Sequence, residues 1–300
     1  MSHISGTPIT LTHGDQVATL ATIGAALRAY TVGGRDVVVP FGADEIAPAF
    51  HGMVLAPWPN RLRDGRYDFG GRELQVALTE PGRGTALHGL VCWEDWTVAS
   101  STGAEATLTL DLPASPGYPF QLSLAVTYAL TDDGLTITTV ARNAGTEALP
   151  YGVGFHPWFA PGGTPLDECT LQLDASSRVT VDDRLLPADV VPVDGDFDLR
   201  TPRDLPGVAF DDAWVDPILD ADGRSWARLG WADGSTVEIW ADSEATAWQI
   251  CTGDEVPGVK RAGVAIEPMS CIADAFRTGD HLVTLEPGAT HALTWGMRLR

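Results

Sequence analysis

Four short segments of this chain set ionisable side chains among aromatics, glycines and prolines. They are Ala56-Pro57-Trp58-Pro59-Asn60-Arg61-Leu62, Ala86-Leu87-His88-Gly89-Leu90, Tyr151-Gly152-Val153-Gly154-Phe155-His156-Pro157-Trp158-Phe159 and Ala265-Ile266-Glu267-Pro268-Met269-Ser270. Apolar surroundings strip water from such groups and move their pKa values toward the range where proton transfer is efficient. A single histidine beside a leucine reads most simply as a satisfied core residue. Four such segments in one chain read as a site. Its carboxylate and imidazoles suit general acid–base work, and its guanidinium is a fixed fork of donors. Other chemistries lack their spacing. The seven histidines form neither H-x-x-x-H nor H-E-x-x-H, so no metal is expected. The G-x-S-x-G elbow, the phosphate-binding loop and the dinucleotide fingerprint do not occur, and no cofactor is expected.

In order, Asn60-Arg61-Leu62 with Gly65, Tyr67, Phe69 and Gly71, then Leu87-His88-Gly89, then His156-Pro157-Trp158-Phe159, then Glu267-Pro268-Met269-Ser270 make a set that resembles the aldose 1-epimerase (galactose mutarotase) family. The likeness runs from about Val54 to Arg300. The Leu-His-Gly-Leu and Glu-Pro-Met spellings are similar to a bacterial subgroup that includes enzymes acting on a sulfonated glucose. The resemblance implies a mutarotase that opens a pyranose and recloses it on the other face of C1. It implies Glu267 as the base, His156 as the acid, and His88, Arg61 and Asp211 as sugar contacts. Asn60 and Trp158 border these positions and join the expected substrate-binding set. Asp212 stands beside Asp211, so either aspartate fits. Glu267 and His156 are expected on opposite sides of a ring held between them. Two departures border the pocket. Phe155-His156-Pro157-Trp158 replaces the commoner Asn- or Thr-His-Pro-Tyr, and Pro268-Met269 replaces Pro-Gln. Both bear on the identity of the sugar. Trp58, Trp93 and Trp158 serve equally as stacking rings or as packing.

The elements that must carry these groups show period-two alternation. Leu122, Leu124, Val126, Tyr128 and Leu130 alternate with polar or small residues, as do Leu293, Trp295, Met297 and Leu299, and Leu108, Leu110 and Leu112. Gly33-Gly34, Gly70-Gly71, Asp133-Gly134 and Asp233-Gly234 are hairpin signals. With 32 Gly and 21 Pro, long helices are disfavoured. The reading is all-β, a large antiparallel β-sandwich with little helix, which the resemblance sharpens to a galactose mutarotase-like supersandwich. Pro161–Pro206, rich in Pro and Asp, reads as long surface loops. One domain over residues 1–300 is the simplest account.

The whole-chain properties narrow the partners. A net charge of −21, from 40 Asp+Glu against 19 Lys+Arg, repels phosphate backbones, so no nucleic-acid partner is expected. No apolar run approaches a membrane span and no signal-like segment opens the chain, so a cytoplasmic protein without a membrane partner is expected. The four cysteines, none in C-x-x-C spacing, read as buried thiols. The expected partner is a small-molecule sugar, with the chain a monomer or homodimer. Three functions stand at this point. One is a mutarotase of a neutral hexose. The second is a mutarotase of an anionic sugar (a hexose 6-phosphate or sulfoquinovose), suggested by Arg61, Arg63, Arg66, Arg72 and Arg83 in one short stretch. Whether two of these arginines face the pocket discriminates the two. The third is a non-catalytic sugar-binding module, disfavoured because a binder needs neither Glu267 nor His156.

Overall fold

A computed structural model describes residues 3–300. Two large antiparallel sheets dominate it. The nine-stranded sheet runs, in spatial order, Thr97–Ser101, Glu105–Leu112, Leu122–Thr131, Gly134–Asn143, Thr290–Leu299, Thr236–Ala241, Ser225–Gly230, Thr170–Leu173 and Arg203–Asp204. The eight-stranded sheet runs Pro187–Pro192, Ala175–Val181, Asp211–Pro217, Ala247–Cys251, Val264–Met269, Gly154–Phe155 and Val54–Leu55, with Trp158–Phe159 also paired to Val264–Met269. A four-stranded sheet, Pro8–His13 to Arg35–Asp36, opens the chain. Among the described residues the single α-helix is the one turn Ala275–Thr278, as the Gly and Pro content leads one to expect. Among the described residues no helix is long and apolar enough to cross a membrane.

The alternation seen in the sequence sets the layers. Leu124, Val126, Ile137 and Leu293 of the first sheet and Trp214, Trp248, Ile250 and Ile266 of the second all enter one buried core. The sheets are stitched across it by Phe155 against Trp295, with ring centroids 5.2 Å apart, and by the Trp248 indole N–H donated to Ser225 Oγ. The opposite face of the eight-stranded sheet is covered by loops, so Val264–Met269 is buried along its whole length. A strand buried on both faces is where a functional carboxylate can be kept out of water.

The hairpin signals were largely accurate. Gly33-Gly34 and Gly70-Gly71 are two-residue turns with both glycines at positive φ, the conformation such turns demand. The turn assigned to Asp133-Gly134 lies one residue earlier, because Thr131 pairs with Gly134 and Asp132-Asp133 forms the loop. The Asp233-Gly234 hairpin is a longer loop, its strands closing at Gly230 and Thr236. Pro161–Pro206 corrects the sequence reading most: it contributes four strands, Thr170–Leu173, Ala175–Val181, Pro187–Pro192 and Arg203–Asp204. Pro187 and Pro192 end an edge strand, the place where a missing N–H costs least. All four cysteines are buried and free.

Candidate active site

The loop-covered face of the eight-stranded sheet carries a cleft of about 290 Å³. Register explains which side chains reach it. Asp211 pairs with Cys251, Gln249 with Glu267, and Cys251 with Ala265, so Asp211, Gln249, Cys251 and Glu267 share this face. Their neighbours Trp214, Trp248, Ile250 and Ile266 point the other way, into the core. The same argument separates the two aspartates. Asp211 lines the cleft and accepts the Gln249 side-chain amide at 2.8 Å. Asp212 does not line it and instead receives Arg178 Nη1 at 3.3 Å.

His156 follows Phe155, whose ring enters the core, so alternation turns the imidazole toward the cleft. Its amide donates to the Met53 carbonyl, and its own carbonyl accepts the Gly52 amide. The ring lies parallel to Trp158 at 5.8 Å between centroids and edge-on to His88 at 5.2 Å. His156 Nε2 stands 3.5 Å from Glu267 Oε1. This corrects the expectation of a ring held between the two groups, because 3.5 Å leaves no room for one. They reach the cleft side by side. His156 Nδ1 and Glu267 Oε2 are buried without a hydrogen-bond partner, so both keep polar capacity that the protein does not use.

Two loops supply the rest. Asn60 and His88 both adopt positive φ and lock each other: the His88 amide donates to the Asn60 carbonyl and the Asn60 amide donates to His88 Nδ1. A neutral His88 therefore carries its proton on Nε2 and is a donor there. Gly89 makes this loop feasible. Its φ is +75°, and a Cβ there would lie 2.1 Å from the Ala56 carbonyl oxygen. Arg61, on the strand Arg61–Arg63, grips Glu80 through Nε at 2.8 Å and Nη2 at 3.0 Å. Burial disfavours the Glu80 carboxylate, but hydrogen bonds from Arg61 and Thr85 and the charges of Arg61 and Arg83 outweigh it and hold the pKa below the usual range.

The electrostatics follow from water exclusion. Burial pushes the His156 imidazole down to about 3, with the charge of His51 adding to the effect. Burial drives Glu267 well above the ordinary carboxyl range, Asp211 adds to that, and Arg61 opposes it. His88 is held well below its ordinary value by burial, then by the charges of His156 and Arg61. Charge is thus disfavoured on both members of the His156–Glu267 pair, which shares one proton over a wide pH range. In its carboxylate–imidazolium form the pair is a base and an acid a few ångströms apart.

All seven residues singled out from the sequence line this cleft: Glu267, His156, His88, Arg61, Asp211, Asn60 and Trp158. Trp58 does not. It is buried against Phe276 at 5.3 Å and belongs to the core. Sequence reading missed Gln249, Glu80 and Phe50, which also line the cleft. Gln249 left a signal, a lone amide in the apolar run Ala247-Trp248-Gln249-Ile250-Cys251. Among the described residues no group of three His, Cys, Asp or Glu side chains is placed to hold a metal ion.

Residues 8–298 match the family model described as aldose 1-epimerase. The chain is 35% identical over 292 residues, 97% of its length and 92% of the relative's, to a protein of Escherichia coli K12 called uncharacterized protein YihR. It is 31% identical over 183 residues to the mouse galactose mutarotase, covering 57% of this chain and 52% of that one. The aldose epimerase homologue from C. elegans superposes with a TM-score of 0.86 at 20% identity, over 98% of both chains.

Proposed function

This chain belongs to the aldose 1-epimerase family of isomerases, and we propose that it interconverts the α and β anomers of a neutral free hexose, using Glu267 as base and His156 as acid. The observation that carries the reading is the pair at the cleft floor, 3.5 Å apart and each with an unpartnered buried polar atom. In the ring-opening step the C1 hydroxyl gives its proton to the Glu267 carboxylate. Its oxygen forms the carbonyl while the C1–O5 bond breaks, and O5 takes a proton from the His156 imidazolium. The C1–C2 bond then rotates, and the two proton transfers run in reverse to close the ring on the other face. No proton is gained or lost overall. The two reacting oxygens are bonded to the same carbon, so two groups side by side reach both, where groups across a ring would not. His88 Nε2–H, Asp211, Gln249 and the Arg61 edge hold the remaining hydroxyls.

The neutral sugar is favoured by counting charge along the cleft. Arg61 and Arg83 line it, so two of the five clustered arginines face inward, the arrangement an anionic sugar requires. They are opposed by three further carboxyl groups, Glu80, Asp211 and Glu255, which also line the cleft. Glu80 already occupies both guanidinium groups, at 2.8 Å from Arg61 and 3.4 Å from Arg83. An anionic hexose remains the second reading on the strength of Arg83 at the rim.

Polarimetry of freshly dissolved α-glucose, α-galactose and glucose 6-phosphate, corrected for the uncatalysed background, tests the proposal. Each proton transfer is worth roughly 10²–10⁴-fold, so Glu267→Gln and His156→Ala should each lower kcat by at least about 10², with a smaller change in KM. A Glu267→Gln protein that mutarotates its best sugar at near wild-type rate would defeat the assignment. Preference for the phosphorylated sugar would replace the neutral substrate by the anionic one.

A further inference from the structure

A catalytic imidazole is ordinarily oriented by a hydrogen bond on its second nitrogen. His156 Nδ1 makes none. Aromatic rings take that role instead. The Trp158 indole lies 22° from parallel to the imidazole, and the Phe50 ring 25° from parallel with centroids 6.3 Å apart. One short segment, residues 49–53, supplies the second ring and holds the first. The Trp158 amide donates to His51 Nδ1 at 3.1 Å, and the indole N–H donates to the Ala49 carbonyl at 3.3 Å. The Gly52 amide donates to the His156 carbonyl, and the His156 amide donates to the Met53 carbonyl. The segment reaches these partners at a cost. Ala49 and Phe50 have φ of +46° and +56°, a conformation that side-chain-bearing residues adopt rarely and that clusters at functional sites.

We propose that His51 is a positioning residue of the reaction: by accepting the Trp158 amide it sets the indole against the His156 imidazole and so aims Nε2 at Glu267 and the sugar's ring oxygen. The inference rests on the mutarotase reading. His51 does not line the cleft and does not touch the sugar. It stands behind Trp158, which lines both the cleft and a second hollow of about 140 Å³, whereas His51 lines the hollow alone. With Nδ1 as acceptor, the neutral ring keeps its proton on Nε2. Burial holds the pKa down to about 4, so the ring stays an acceptor at neutral pH. Packing alone does not account for an imidazole here. Leucine would fill similar space, but it would leave the amide of the buried Trp158 without an acceptor. The Trp158 backbone must then turn to find another partner, and its indole turns with it. The bonds from Gly52 and Met53 to His156 remain, so the loss falls on the ring's aim more than on the fold.

A double-mutant cycle on the best hexose tests this. His51→Leu should lower kcat about ten- to hundredfold, the scale of a small misplacement of a reacting group, with KM within about twofold of wild type. His51→Asn, which restores an acceptor, should bring kcat back to within about threefold of wild type. In a His156→Ala background, His51→Leu should change kcat by less than about twofold, because the residue it positions is gone. Losses that multiply in the double variant overturn the proposal. So does a His51→Asn protein no faster than His51→Leu. Nitrogen NMR of the wild-type imidazoles gives a reading that does not depend on His51→Leu folding. His51 should be neutral and protonated on Nε2 from about pH 5 to 8, and a proton on Nδ1 overturns the proposal. A His156→Ala protein at full activity would remove the acid assignment and this inference with it. Loss of activity in His156→Ala beside an indifferent His51→Leu would remove this inference alone.

Discussion

His88 and His156 are 5.2 Å apart and differ in what their free nitrogens can do. His88 has its Nδ1 committed to the Asn60 amide, so its role is to donate from Nε2 in the neutral state. His156 has no protein partner on Nδ1 and faces Glu267 through Nε2, so it is free to gain and lose a proton. The pH profile should show this division. A second proton enters the His156–Glu267 pair only as pH falls toward the depressed value of the imidazole, about 3. The shared proton leaves only above the raised value of the carboxyl. Activity should therefore hold steady down to pH 5, without the acid limb near 6.5 that an ordinary histidine would give, and should decline only on the alkaline side. Initial rates against pH under kcat/KM conditions check this, and a half-maximal point between 6 and 7 on the acid side would contradict it. At this scale the sequence was informative wherever an ionisable residue stood in an apolar run. It could not separate Asp211 from Asp212, because only pairing with Cys251 and Ile250 shows which faces the cleft. Nor could it show Glu267 and His156 side by side, since their distance depends on two strands meeting across more than a hundred residues.

The loop that carries His88 argues for a backbone role in the Leu-His-Gly spelling. Gly89 stands at φ +75° with the Ala56 carbonyl oxygen where a Cβ would go, and Leu90 donates its amide to that same carbonyl. Gly70 is also at positive φ, +59°, but nothing lies within 4 Å of its missing Cβ. Both should lose stability on substitution by alanine. Gly70→Ala should cost roughly 1 kcal/mol for the conformation alone, and Gly89→Ala more than about 2 kcal/mol because the Ala56 segment must also move. Denaturant unfolding of the pair measures this. Gly89→Ala should in addition lower kcat by displacing His88, whereas Gly70→Ala should not, and equal effects of the two would remove the packing argument. Elements were legible in proportion to their alternation. Leu122–Thr131 and Thr290–Leu299 alternate cleanly and are long strands. Ala175–Val181 and Pro187–Pro192 do not, because the second is an edge strand with mostly exposed side chains, and such a strand is recognised by the neighbour it pairs with.

For the molecule as a whole, the acidic surface and the buried histidines pull stability in ways that pH can separate. The surface carboxylates stay ionised above about pH 5, so between pH 7 and 5 the imidazoles dominate. His51 is buried with its Nδ1 accepting the Trp158 amide, and burial holds its pKa down near 4. His88 is also held low by burial, with the charges of His156 and Arg61 adding to the effect. In the unfolded chain both would titrate near 6.5. Below that value the unfolded state binds protons that the folded state refuses, so the free energy of unfolding, and with it stability, falls as pH falls. His156 adds little, because it and Glu267 together hold one proton folded, and the same two side chains unfolded hold about one proton between pH 4.5 and 6.5. Two histidines then set the slope. At 1.4 kcal/mol per proton per pH unit, stability should drop by about 2–3 kcal/mol between pH 6 and pH 5. Urea unfolding at pH 7, 6 and 5 checks the drop. His51→Asn keeps an acceptor for the Trp158 amide without a titrating ring, so it should cut the dependence by about half whatever it does to the absolute stability. A wild-type stability that stays level or rises from pH 7 to 5 would mean that these histidines are charged in the folded protein.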